Sequence, residues 1–194
     1  MLWNRQRFGF IINIVTVIFV VIVLAAPAFS QDVATGTAVA NVLASLMVVA
    51  TQNLDFQDVL PGVAKIQDQT SDALSGIFTI TGAPDREISM YMWLPDYLAT
   101  VSGDDRLLIS FASTMATLDT ANAGGSPAAL GDASVPAIIG IDPHNLPDIE
   151  LGPAGGTNPG ECRIYLGGKV TPSVDQGAGA YSGDITLTVA YTGN

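Results

Sequence analysis

An all-β sandwich is the fold class this sequence predicts, on three observations. Apolar residues recur with a period of two in several short segments, which is the signature of strands with one face in a core. Turn residues, chiefly Gly and Pro, stand between those segments. Long charged helix formers are scarce, and no segment beyond the first thirty residues carries a helical period.

The elements follow in order. The N-terminus reads basic, then apolar, then small. Arg5 and Arg7 precede an apolar run from Phe8 to Ala26, and Ala28 and Ser30 stand at the −3 and −1 positions before Gln31. That order predicts a secretory signal peptide over residues 1–30, cleaved before Gln31. The competing reading is an uncleaved membrane anchor, because the apolar run approaches bilayer-spanning length; the Ala-x-Ser site favours cleavage. The segment "QDVATGTAVANVLASLMVVATQNLDF" carries no charge between Asp32 and Asp55. Ala40, Val42, Ala44, Leu46 and Val48 share one face of this extended piece, with Val39 and Leu43 on the other. Residues 31–43 are expected to be either the first strand of the chain's own sandwich or an arm that completes a neighbour's sheet.

"GIFTITG" predicts a short strand closed by Gly82 and Pro84. In "EISMYMWLP", Ile88, Met90, Met92 and Leu94 alternate with Ser89, Tyr91 and Trp93 until Pro95 breaks the strand. Tyr91 and Trp93 therefore lie off the core face. Such a pair can stack on a sugar, but a strand covered on both sides favours packing against a second sheet or a partner. "RLLISFA" sets Leu107, Ile109 and Phe111 inward. "CRIYLGGKVTP" predicts a two-residue hairpin at Gly167-Gly168. Residues 119–134 and 142–161 predict long loops; the second holds four prolines and four glycines and is expected to be a surface excursion with one edge strand at Ile149–Leu151. The chain closes on "YSGDITLTVAYTGN", where Ile185, Leu187, Val189 and Tyr191 form the core face of a last strand. Residues 44–194 are expected to be a single sandwich domain.

Charge narrows the function classes. The chain has 7 Lys and Arg against 18 Asp and Glu. Loss of Arg5 and Arg7 with the signal leaves Lys65, Arg86, Arg106, Arg163 and Lys169 as the cations. Nucleic acid is not expected as a partner, since neutralising phosphates needs clustered cations. Contact with a membrane is expected only through the signal peptide. Cys162, the single cysteine, alternates in phase with Ile164 and Leu166 and is expected to be a buried, inert thiol.

No catalytic constellation emerges, and neither cofactor nor metal is expected. His144 stands alone in "DPHNLPD", a loop context without the second ligand of a transition-metal site. Asp142, Asn145, Asp148 and Glu150 do not have the spacing of a calcium loop. Asp104 and Asp105 in "SGDDR" predict a turn. No serine sits in a Gly-x-Ser-x-Gly elbow. A secreted hydrolase therefore ranks last among the functions considered.

Three blocks carry a family resemblance: "QNLDFQDVLPG" (52–62), "GIFTITGAPDREISMYMWLP" (76–95) and "IYLGGKVTPSVDQGAGAYSGDITLTVAYTGN" (164–194). Their order resembles the pattern L-x-F-G-x-x-x-P-G, F-x-I-x-G-x-P, G-G-x-L-x-V and G-x-Y-S-G with a terminal V-x-Y. That pattern belongs to a family of secreted bacterial immunoglobulin-like β-sandwich domains of unknown function, and the likeness covers most of residues 44–194. The chain departs from it at Gln57, where the pattern has Gly, and in the length of 142–161. The family is similar in layout to chaperone–usher pilin subunits and to spore-coat-like proteins. The resemblance implies an immunoglobulin-like, pilin-like sandwich whose sheet is completed by a neighbour's strand. It implies a structural subunit of an extracellular filament or surface layer. Val33, Val39, Val42 and Leu43 would be the donated side chains, and Ile185, Leu187, Val189 and Tyr191 would form the completing strand. Partners would be further copies or related subunits, with or without a periplasmic chaperone. The alternative is a monomeric secreted binding or adhesion module using loops 119–134 and 142–161.

Overall fold

The computed structural model describes residues 37–71, 73–119, 137–156 and 158–193. The expected signal peptide, Val33 and nearly all of the 119–134 loop lie outside the described residues. The chain divides into two units, Met1–Asn41 and Val42–Asn194. In the first, residues 37–41 are described and form no strand.

The second unit is built from strands alone among its described residues. In chain order they are β1 (Met47–Gln52), β2 (Lys65–Gln67), β3 (Gly76–Thr81), β4 (Glu87–Trp93), β5 (Tyr97–Thr100), β6 (Arg106–Ser110) and β7 (Ala116–Asp119). There follow β8 (Ile138–Ile141), β9 (Ile149–Glu150), β10 (Glu161–Leu166), β11 (Gly168–Thr171), β12 (Tyr181–Ser182) and β13 (Thr186–Tyr191). Three sheets result, ordered β1-β3-β10-β7-β8, β12-β5-β6-β11-β2 and β13-β4-β9. Every strand pair in them is antiparallel. No helix among the described residues is long and apolar enough to cross a membrane.

Alternation explains the packing. Phe78 and Ile80 of β3 and Cys162, Ile164 and Leu166 of β10 face Ile88, Met90 and Met92 of β4 across one buried cluster. The first and third sheets therefore form a sandwich-like pair. A smaller cluster of Phe56, Leu107, Ile109 and Val170 underlies the second sheet. Phe111 packs against both clusters. Leu46 and Val48 lie partly buried on the large cluster, in the phase expected for the segment leading into β1.

Three expectations need correction. Gly167-Gly168 is no hairpin: β10 pairs with β3 and β7 in the first sheet, while β11 pairs with β6 and β2 in the second. The chain passes nearly straight from one sheet to the other. Gly167 is needed because a Cβ there would lie 2.5 Å from the Gln67 carbonyl oxygen, so its lack of a side chain serves close approach rather than a turn. Residues 142–161 are largely exposed as expected but do not stand off the core: the segment is anchored to it at several points. Leu146, Ile149 and Leu151 are buried in the large cluster, and β9 does form the expected edge strand on β4. The segment is pinned by Leu151 N–H to Arg86 O (2.9 Å) and Gly160 N–H to Gly152 O (2.8 Å). Gly160 has φ 74°, and a Cβ there would run into the Gly82 carbonyl. Its prolines break the segment into short pieces without keeping it off the core. Third, Tyr91 and Trp93 are exposed rather than packed.

The departure at Gln57 has a backbone counterpart. Its φ is 51°, a left-handed conformation that glycine adopts freely and other residues at a cost. The Gln57 N–H donates to Asp55 Oδ1 at 2.7 Å, which supports the turn.

Candidate functional site

The sandwich is open along one side. β1 ends the first sheet, β12 the second and β13 the third, so three strands leave one edge without a partner strand among the described residues. β1 approaches β13, and below them lies a cleft of about 890 Å³. Ala50 and Gln52 of β1 and Phe78 of β3 line one side; Leu98, Ile109 and Ile185 line the other. Apolar side chains such as Phe78, Leu98 and Ile109 share the lining with Gln52, Asn53, Asp55 and Asp58. A free strand edge of this kind offers unpaired N–H and C=O groups to another chain.

A Gly- and Ala-rich strap, residues 176–184, lines the cleft. Its only strand pairing is β12 on β5, and one polar knot holds the rest. The Tyr181 hydroxyl donates to Asp105 Oδ2 at 2.5 Å, and Gly177 N–H donates to the same oxygen at 2.9 Å. Arg106 N–H donates to Asp105 Oδ1 at 2.8 Å. Gln176 Nε2 donates to the Tyr181 hydroxyl at 2.9 Å. The Tyr181 bond, with the backbone donors, holds the Asp105 carboxyl below its ordinary range. The same bond pushes the Tyr181 phenol up. Asp105 therefore does more than shape the predicted turn: it anchors a strap more than seventy residues away. No local pattern in the sequence signals that pairing.

The terminal strand lies where its alternation places it. Leu187, Val189 and Tyr191 are partly buried on the large cluster, as is Ile185, and β13 pairs with β4 from Thr186↔Trp93 to Tyr191↔Ile88. The Tyr191 hydroxyl donates to Ala44 O at 2.8 Å and accepts from Ala83 N–H at 2.6 Å. It thereby ties the end of β13 to the segment entering β1. Gly82 makes room for it, since a Cβ there would lie 2.6 Å from that hydroxyl. Residues 37–46 form no strand. Val39 and Val42 are 90% and 92% exposed, and Leu43 is exposed too. The structure thus brings Ile185 to the cleft and Tyr191 to Ala44, while Val39, Val42 and Leu43 remain outside any sheet.

The chemical candidates stay apart. His144 is exposed, with its ring edge-on to Phe111 at 6.4 Å. The Asp142 carboxylate accepts from the His144 N–H at 2.9 Å, a local turn. Among the described residues no three His, Cys, Asp or Glu side chains are grouped to hold a metal. Cys162 is buried. Burial, with Asp119 and Glu161 adding to it, pushes its thiol up to about 12, so it is no nucleophile at neutral pH.

Comparison with protein-family models, curated proteins and solved structures returns no match to this chain.

Proposed function

We propose that this chain is a structural subunit of an extracellular filament or surface layer, assembling by β-strand addition. The observation that carries the reading is the cleft, mixed polar and apolar in its lining, beside β1 and β13, each of which ends its sheet. The donor is residues 33–43 of the next copy, an uncharged segment in whose described part Val39 and Val42 are 90% and 92% exposed. Backbone pairing along a free edge supplies affinity, and alternate side chains seated in the cleft supply register. On this reading the sandwich is immunoglobulin-like and pilin-like, and the signal peptide delivers the chain to the cell exterior. The family resemblance and the left-handed backbone at Gln57, where the family pattern has Gly, support it. The alternative, a monomeric binding module, would use the exposed positions of the 142–161 segment, among them His144, Asn145, Asp148 and Pro153; the cleft beside the sheet-ending strands favours assembly.

Deletion of residues 31–43 behind an intact signal tests the proposal. Electron microscopy of material shed by the cells should show filaments for the intact chain, whose subunits begin at Gln31 by mass spectrometry. The truncated chain should fold to a monomer, form no filaments and bind a synthetic 33–43 peptide. Normal filaments from the truncated chain would overturn the reading.

A further inference from the structure

β1, β12 and β13 each end a sheet, and the lining of the cleft distinguishes which of them turns its backbone toward it. β1 contributes Ala50 and Gln52, and β6 contributes Leu107 and Ile109. Residues two apart share one face of a strand, so these strands present side chains to the cleft. β13 contributes no residue at all. The strap differs, because every residue from Gln176 to Ile185 takes part in the lining. Gly177, Gly179 and Gly183 are among them, and a glycine has only backbone to present.

That backbone is also unengaged. Among the described residues, Ala178, Gly179 and Ala180 make no hydrogen bond beyond the ladder of β12 with β5. β12 is paired on that one side only, so its other edge continues into the strap. Residues 53–59 line the cleft without a gap too, but they belong to no strand and their backbone is held. Asp55 N–H donates to Leu74 O at 2.8 Å, and Gln57 N–H donates to Asp55 Oδ1 at 2.7 Å.

The lining selects an uncharged occupant. It contains Asp55, Asp58 and Asp184 and no Lys or Arg, so carboxylates on an entering segment would be repelled. Residues 33–43 carry no charge, and the described part, 37–43, belongs to no strand of its own subunit. Fully extended, that segment reaches about 36 Å, more than enough to run the length of residues 177–182.

We propose that the strap and β12, residues 177–182, are the edge that receives the donated segment, which becomes a sixth strand on the five-stranded second sheet. The proposal rests on the strand-addition reading and narrows it: β1 and β13 border the cleft, and the added backbone pairs with neither. Alternate side chains of the added strand point into the cleft.

The test uses the intact chain and its filaments. Cys162 is buried, so introduced cysteines are the ones that react. Gly179→Cys suits the fold, since a Cβ there would meet only Thr100 Cγ2 at 3.8 Å. It is combined with a cysteine scan of Val33 to Leu43, assembled under reducing conditions and then oxidised. A disulfide needs Cβ atoms within about 4.5 Å, so one register should join successive subunits into a ladder on a non-reducing gel. Val49→Cys on β1 and Thr188→Cys on β13, both at exposed positions, should give no ladder with the same scan. Assembly should also slow exchange about tenfold or more at alternate amides from Ala178 to Ser182, because an edge strand directs every second N–H outward. Amides of β1 should be unchanged. Filaments linked through Val49→Cys or Thr188→Cys, with the strap amides still exchanging, would overturn this proposal and leave strand addition standing. Filaments linked at none of the three edges, or no filaments from the intact chain, would overturn both.

Discussion

The two halves of the sandwich bury apolar side chains on the same alternating pattern and differ in what lies opposite them. Between β3 and β10 on one side and β4 and β13 on the other, Ile80, Ile88, Ile164 and Leu166 meet apolar partners and are fully buried. Around β5, β6 and β11, Leu107, Ile109 and Val170 point inward just as regularly. There, however, part of the space opposite is the cleft. Period-two hydrophobicity thus tells which way a side chain faces and nothing about whether a partner waits there. The second half borders the cleft, the place where the proposed strand addition would act.

The largest effect should separate the halves directly. Ile164→Ala removes a fully buried side chain from close packing and should cost about 2–5 kcal/mol by urea denaturation. Leu98→Ala, at the partly buried wall of the cleft, should cost on the order of 1 kcal/mol. Equal losses would mean that the cleft closes in solution and that the contrast between the halves is not real.

How much of this was legible in the sequence follows the same division. The phases of β4, β6, β10 and β13 and the burial of Cys162 were readable, because each is a local period of two against a well-filled core. β7 was not: its Thr117 and Asp119 are buried polar side chains in "ATLD", too short and too polar to signal a strand flanked on both sides. Gly167 read as a turn because a glycine pair is compatible both with a tight turn and with close approach of a second chain segment. The 142–161 segment is largely exposed as read, and what its prolines hid was the anchoring of Leu146, Ile149 and Leu151 in the core. The cleft itself is a property of three sheet edges meeting, and its anchor joins Asp105 to Tyr181 across 76 positions.

A smaller effect sharpens the boundary between the halves. Tyr191 belongs to the closed core by its ring and to the entrance of β1 by its hydroxyl. Tyr191→Phe keeps the ring but leaves the buried Ala83 N–H and the Ala44 carbonyl without that partner. The expected cost is about 1–3 kcal/mol, with faster amide exchange concentrated in residues 44–47. Uniform loss of protection across β4 and β10 would instead make the hydroxyl part of the global core.

The smallest effect lies in the strap and should leave global stability nearly untouched. Asp105 titrates below its ordinary 3.8 in the folded chain because Tyr181 and backbone N–H groups stabilise the carboxylate. A depressed carboxyl contributes its stabilisation fully above the unfolded value and loses it as pH falls through the folded one. Tyr181 is shifted the other way from 10.0, so its contribution is complete below that value and is lost as pH rises through the higher folded one. The knot is therefore whole across the neutral range and loosens first on the acid side, below 3.8. Exchange protection at Gly177, corrected for the intrinsic rate, should fall there while protection in β10 persists. Asp105→Asn should reproduce the loosened strap at neutral pH. If Gly177 stays protected through the titration of Asp105, the strap is held by packing, and this wall of the cleft is as fixed as the closed half.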